Sequence, residues 1–339
     1  MSRVRSLLVL CAAKFAVCLG LVLLVALTGC NSIKVKLGMR ISLAKTPVSS
    51  MEVSQYQHPG IGPGEKSSLV ATFTQPDGKI LVTEGKGKGK VLWKDLAVVA
   101  TVVSVNKKGV LTLPRDPRVS DGKTGHVSIT VPSHPGVSAE LDIPLRYNYN
   151  FVSTFAGSSG MNGTDGTNGT DGMSGSMGSL DPNNPSAGGD GTNGSNGTDG
   201  TNGWDGGPGP AVQVRVALRA GSHPLLQVGV TSAGHKERFY LVDPQGGSMT
   251  VNSDGGAGGT GGKGGSGGRG GSGGIGSPNG SNGSDGSSGH DGSSGSDGRG
   301  GSITVTYDPQ VTPFLSTIRL ANPGGPKPVL TEAPVAVLW

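Results

Sequence analysis

The chain has 339 residues, 63 of them glycine, with 28 lysines and arginines against 23 aspartates and glutamates, a formal net charge of +5 and three cysteines. Forty-two of the glycines fall within 157–209 and 255–301, a density far above the roughly 7% of ordinary proteins. Those hundred or so residues carry almost no apolar side chains and cannot bury a core of their own, which excludes a globular enzyme filling the whole length.

At the N-terminus, Arg3, Arg5 and Lys14 form a basic leader ahead of an uncharged apolar run over 15–27. Thirteen residues are too few for a bilayer core of roughly 30 Å, so 1–29 reads as a cleaved export signal. The run ends in Leu27-Thr28-Gly29-Cys30, which resembles the lipobox of bacterial lipoproteins. The resemblance implies cleavage before Cys30, a lipid on its thiol and attachment to a membrane. Asn31 in place of aspartate makes the outer membrane the expected one. Cys11 and Cys18 would leave with the signal, so the mature chain holds no disulfide and no free thiol nucleophile. Processing also removes three bases, leaving 25 against 23 acids, and nucleic-acid binding loses its main support. The remaining charge is uneven: 30–156 has 16 bases and 9 acids, whereas 157–209 has six acids and no base.

From 33 to 43, Ile33, Val35, Leu37, Met39, Ile41 and Leu43 alternate with polar or small residues, the period of a half-buried strand. Strands are predicted next at 69–74 and 79–83, joined by Gln75-Pro76-Asp77-Gly78, where proline presets a turn and glycine permits positive φ. Further runs at 96–105, 110–113, 127–131, 141–145 and 147–151 bring 30–156 to about eight short strands with no helix. This predicts a mainly β chain beginning with an antiparallel β-sandwich. The domain is similar to immunoglobulin-like domains of bacterial surface proteins, although it lacks a Cys…Trp…Cys core.

In 157–210, glycines stand at every third position from Gly157 to Gly178 and, after Asp181-Pro182, from Gly188 to Gly209. Threonine or serine tends to follow each glycine, and asparagine or aspartate to precede the next. The tract at 255–301 runs first as Gly-Gly-x and then returns to single glycines at period three from Gly280. Period three matches an extended helix of three residues per turn with about 3.1 Å rise per residue, of polyproline-II or polyglycine-II type. The tracts resemble bacterial collagen-like and Gly-x-x repeat proteins. Three outcomes fit: a laterally packed bundle of glycine helices, a flexible hydrated linker, or a collagen-like triple helix that would make the protein a homotrimer. In the first two the chain is expected to be a monomer.

Between and after the tracts, 211–254 and 302–339 read as a second, small β-sheet module. Strands are predicted at 212–218, 226–230 and 239–242. Gly246-Gly247-Ser248-Met249-Thr250-Val251 and Gly300-Gly301-Ser302-Ile303-Thr304-Val305 repeat each other and are read as equivalent strands of one sheet. The second tract is then an excursion that leaves and re-enters that sheet. Edge strands are expected at 317–320 and 335–339. The terminal Trp339 is similar to the closing aromatic of outer-membrane barrels, a reading that the lipobox and the glycine tracts oppose.

No pattern for catalysis emerges. Gly122-Lys123-Thr124 ends like a phosphate loop, but Pro117 stands where its first glycine belongs, and a turn is expected. Serines in Gly-Gly-x match a nucleophile elbow only through glycine frequency, and the histidines show no ligand spacing. Asp285, Asp291 and Asp297 recur every six residues, about 19 Å apart on an extended helix, too far to share one cation. They are assigned to solubility, with calcium bridging between neighbouring helices as the alternative. Asn162, Asn168, Asn193 and Asn282 head glycosylation-type triplets that repeat composition alone explains. The sequence therefore points to a non-enzymatic, lipid-anchored envelope protein of structural or adhesive role, with no cofactor or metal implied. Alternatives are a binding module for a glycan or protein that uses the tracts as spacers, and an exported hydrolase.

Overall fold

The computed structural model describes Val35, residues 37–219, Gly221 and residues 223–339. The signal and the lipobox, Leu27, Thr28, Gly29 and Cys30, lie outside the described residues. The chain is mainly β, in several sheets, and divides into two units, one ending at Tyr147 and the other beginning at Asn148. No helix among the described residues is long and apolar enough to cross a membrane.

In the first unit, one sheet holds β1 (Ser50–Gln55), β2 (Lys66–Thr74), β3 (Ile80–Val82), β5 (Ser104–Val105) and β6 (Val110–Thr112). The other holds β4 (Ala97–Thr101), β7 (Gly125–Thr130) and β8 (Ser138–Ile143). Every pairing in both is antiparallel. Period-two alternation turns one side of each strand inward: Leu69, Ala71 and Phe73 of β2 meet Val127, Ile129 and Ile143 of the other sheet in one hydrophobic cluster. The predicted hairpin is present, with Gly78 at φ 81° and its N–H donating to Gln75 O at 2.9 Å.

Two strand expectations here are corrected. Among the described residues of 33–43 there is no strand. Residues 37–40 turn, Ile41 makes a single bridge to Val91, and Leu43 starts a 3-10 turn whose N–H donates to the Asp95 carboxylate at 2.9 Å. Alternation alone does not supply a pairing edge, and the first strand comes instead at β1. The predicted strand 96–105 is broken at Val102, which adopts φ 67°, a strained conformation for a β-branched residue. That break carries the chain from the sheet of β4 to the sheet of β5. Gly109, in the turn before β6, answers two demands at once: its φ is 70°, and a Cβ there would overlap the buried Trp93 ring.

In the second unit, β9 (Asn150–Ala156), β13 (Ser248–Asp254) and β15 (Ile318–Ala321) form one sheet in the order β15-β13-β9. A second sheet runs β12 (Arg238–Val242), β11 (Leu225–Ser232), β10 (Val212–Arg219), β14 (Ile303–Tyr307) and β16 (Val329–Glu332). Phe155, Met249 and Val251 of the first share a core with Val214, Val216, Val228 and Val305 of the second. The two repeated segments therefore lie in different sheets, not in one. Both tracts leave from one sheet, after β9 and β13, and return in the other, at β10 and β14. The sequence repeat reports equivalent positions in two facing sheets, which periodicity does not distinguish from neighbours in one.

The expected strand at 335–339 is also absent. The paired segment is β16, and the chain after Pro334 instead folds along the outer side of its sheet. Leu338 N–H donates to the buried Gln227 Oε1 at 3.0 Å, and Trp339 packs edge-on against Phe239 at 5.6 Å. The terminal aromatic thus caps a sheet of this unit.

Candidate functional site

The two glycine tracts form four extended segments, 157–178, 188–209, 255–274 and 280–301, joined laterally by ladders of backbone hydrogen bonds that repeat every three residues. In the first segment each glycine N–H from Gly160 to Gly175 donates to the third segment, as Gly163 does to Thr260 O and Gly166 to Lys263 O, both at 2.7 Å, and Gly157 and Gly178 donate to its flanking residues Asp254 and Ile275. In the second segment the glycines at period three from Gly191 to Gly209 donate in the same way to the fourth, as Gly200 does to His290 O at 2.9 Å, while Gly189 and Gly207 donate to Ser176 and Ser158 of the first. The third segment donates to the second through Gly256, Gly259 and onward to Gly274, and the fourth donates to the third from Gly280 to Gly298. The first and second segments pair through bonds such as Thr198 N–H to Thr167 O at 2.9 Å. The four segments of one chain thus supply one another's partners.

The glycine phase follows from this crowding. A Cβ on Gly163 would overlap the carbonyl of Thr201, one on Gly265 that of Thr167, and one on Gly289 that of Thr198. The first, second and fourth segments carry one glycine row each and turn it inward. The third segment lies against all three others and has two rows, which is the physical reason for Gly-Gly-x there. Its row Gly256, Gly259 to Gly274 is fully buried, while Ala257, Thr260, Lys263, Ser266 and Arg269 point outward.

The polar positions are equally constrained. On the first segment, the side-chain Oδ1 atoms of Asn162, Asp165, Asn168 and Asp171 accept the N–H groups of Thr260, Lys263, Ser266 and Arg269 at 2.7–3.0 Å. On the second, Asp190, Asn193, Asn196, Asp199, Asn202 and Asp205 accept in the same way from the fourth at 2.6–2.8 Å. Asparagine and aspartate interchange because either offers an Oδ1 acceptor. Asp285, Asp291 and Asp297, read above as solubilising, accept from Gly270, Gly264 and Gly258 at 2.7, 2.8 and 2.9 Å. The threonines bridge the first two segments: Thr201 Oγ1 accepts Thr164 N–H at 2.8 Å, and the two hydroxyls meet at 3.1 Å. The glycosylation-type asparagines are members of these ladders, with Asn282 Oδ1 accepting from Gly273 N–H at 2.8 Å.

Register comes from the sheets. β9 pairs with β13 in parallel, Asn150 opposite Ser248, an offset of 98 residues, and the side-chain bonds from the first to the third segment keep the same 98. β10 pairs with β14, Val212 opposite Ile303, an offset of 91, which the second and fourth segments keep. Each strand pair continues as a pair of glycine segments.

The far end closes with two turns, at the positions where the period fails in the sequence. Asp181 Oδ1 accepts Asn183 N–H at 2.9 Å in one, and Asn279 Oδ1 accepts Gly276 N–H at 3.0 Å in the other. Ser277 N–H to Ser186 O at 2.9 Å ties the turns together. Around them Met173, Met177, Leu180 and Ile275 are more than half exposed.

The remaining motifs resolve locally. Gly122-Lys123-Thr124 is a turn in which Lys123 Nζ donates to Val119 O at 2.9 Å. His126 pairs with Asp142 at 2.8 Å and His223 with Asp243 at 2.9 Å. No group of three metal-binding side chains occurs among the described residues. One feature escaped the sequence reading: a cleft in the first unit lined by Tyr56, His58, Glu65, Lys66, Lys86 and Arg146. The alternation Gly85-Lys86-Gly87-Lys88-Gly89-Lys90 was its available signal. Comparison of the chain with family models, curated proteins and solved structures finds no match.

Proposed function

We propose that this protein is a non-enzymatic lipoprotein of the bacterial envelope, held in the outer membrane by a lipid on Cys30, with a structural or adhesive role. In this reading the first unit is an immunoglobulin-like sandwich, and the glycine segments are polyglycine-II helices forming a stiff projection from the second β module. The observation that carries the reading is the continuous ladder of backbone and Asx bonds, which leaves the tracts little of the freedom that a spacer needs. Twenty-two residues (157–178) at roughly 3.1 Å each give a rod of about 68 Å. Its apolar far end, Met173, Met177, Leu180 and Ile275, is the surface the scaffold would present to another envelope component.

Two measurements test this. Labelled palmitate should enter the wild-type chain and not Cys30→Ser when each is expressed in a Gram-negative host. The 15N order parameters of the tract glycines should match those of the β-strands. Values below about 0.6 would mark flexible chain and overturn the scaffold in favour of a spacer.

A further inference from the structure

We propose that the cleft between β1, β2 and the 85–90 loop is a binding site for an acidic saccharide, a sugar ring bearing a carboxylate or a phosphate. This goes beyond the scaffold reading and stands whether or not the glycine segments are stiff. The cavity is about 280 Å³, just below the usual range of ligand pockets and suited to one sugar unit rather than an extended polymer.

Its walls are rigid for a surface loop. Gln55 grips the loop after β1 from both sides: its side-chain amide donates to Gly60 O at 2.9 Å and accepts Gly60 N–H at 2.7 Å. Gln57 is held at φ 74°, a conformation seldom adopted by a residue with a side chain. A Cβ on Gly60 would meet Pro144 O at 2.9 Å, so the loop is pressed against the segment leading to Arg146. Opposite, the 85–87 turn ends with Lys88 left-handed at φ 54° and brings Lys86 Nζ to 5.6 Å from the centre of the Tyr56 ring.

The charges are unbalanced. Lys66, Lys86 and Arg146 face one carboxylate, Glu65, and that carboxylate is already engaged by Gly62 N–H at 2.8 Å and by the Arg146 guanidinium at 3.7 Å. With Arg146 balancing Glu65, Lys66 and Lys86 leave a net positive lining that favours an anion, and charge-assisted hydrogen bonds are the strongest such a cleft can offer. Tyr56, whose ring lies under the Lys86 ammonium, adds an amphipathic surface with a polar tip, which distinguishes a sugar from a bare anion. His58 and Gln57 complete a mainly polar lining.

The full chain, purified in detergent, would be titrated calorimetrically with trigalacturonate, glucose 6-phosphate, maltotriose and inorganic phosphate. Saturable binding of trigalacturonate or glucose 6-phosphate is expected, weakening as salt rises, with maltotriose and phosphate at least about tenfold weaker, or 1.4 kcal/mol. Whichever of the two charged sugars binds more tightly separates a uronate polysaccharide from a phosphorylated lipid core as the source. Lys86→Glu and Tyr56→Ala should each reduce affinity about tenfold with unchanged thermal melting, and Lys86→Arg should retain it. Equal binding of maltotriose, wild-type affinity in Lys86→Glu, or no binding by either charged sugar would overturn the proposal.

Discussion

Replacing Gly265 by alanine sets one methyl group against the backbone of a neighbouring segment. The new Cβ would overlap Thr167 O and lie 3.0 Å from Asn168 N, atoms that cannot rotate away as a side chain could. Relief requires the first and third segments to part locally. The bonds spanning that point are Gly166 N–H to Lys263 O and Gly169 N–H to Ser266 O, both 2.7 Å, with Lys263 N–H to Asp165 at 2.7 Å and Ser266 N–H to Asn168 at 2.9 Å. At about 1 kcal/mol net for each bond, offset by roughly 0.7 kcal/mol from the stiffer unfolded chain, the variant should lose about 3 kcal/mol. That is a large share of a typical domain's stability. Ser266→Ala, one residue away on the outward row, places its methyl in solvent and should stay within about 0.5 kcal/mol of wild type. Hydrogen exchange at the tract amides reads both: protection should fall along the first and third segments in Gly265→Ala and persist in Ser266→Ala. Equal protection in the two variants would refute the packing argument.

Other positions test other parts of the fold. Asp291→Asn keeps an Oδ1 acceptor for Gly264 N–H and should leave exchange there unchanged, whereas Asp291→Ala orphans that donor and should cost about 1–2 kcal/mol. A one-residue insertion after Thr198 shifts the second segment out of the 91-residue register and should strip protection from that point to the turn. An inserted Gly-Thr-Asp triplet keeps the phase and should be tolerated far better. Asp116 has its pKa lowered, chiefly by the side-chain hydrogen bond from Arg118, which outweighs the opposing effect of burial, and further by backbone and charge interactions with the same residue. Because the folded value lies below the unfolded one, this contribution is present above the ordinary carboxylate pKa and is lost as pH falls through the depressed value. The acid limb of an unfolding titration should therefore be shallower in Asp116→Asn. Deleting Leu338 and Trp339 uncovers Phe239 and leaves Gln227 Oε1 without the Leu338 N–H, and should lower the second unit's stability by about 2 kcal/mol.

Strands such as β2, β7, β10 and β11 were legible because alternation of apolar residues is enforced along their whole length by a shared core. The period of the tracts was legible for the same reason, since each glycine row meets a backbone. The partner of each row was not legible. A glycine at period three says that something lies close but does not say whether it is another chain, another segment or water. Nor does alternation over 33–43 reveal that nothing pairs with it, or a run over 96–105 that Val102 turns left-handed within it. The role of Asp285, Asp291 and Asp297 was hidden because the donors they cap lie 15 to 39 residues away in sequence. The cleft was hidden because its cations come from three separate stretches of chain.

The same rows explain why the assembly stops at four segments. A lattice of glycine helices could in principle grow sideways without limit, as an uncovered strand edge invites another strand. Here the first, second and fourth segments own one bare row each, and all three rows are turned inward. The third segment owns two, and both are covered by its neighbours. What remains outside is mainly Thr, Ser, Asn and Asp on three segments, together with Met161, Met173, Met177 and Trp204, and Lys263 and Arg269 on the exposed row of the third. A fifth segment would meet branched or charged side chains where it needs a bare backbone, and it would find many of the nearby donors already capped by Asx oxygens. The sheets complete the restriction, because the offsets of 98 and 91 residues fixed by β9–β13 and β10–β14 set the phase of the first segment against the third and of the second against the fourth. A composition that would otherwise favour either a loose coil or a fibre is thereby confined to a bundle of defined size.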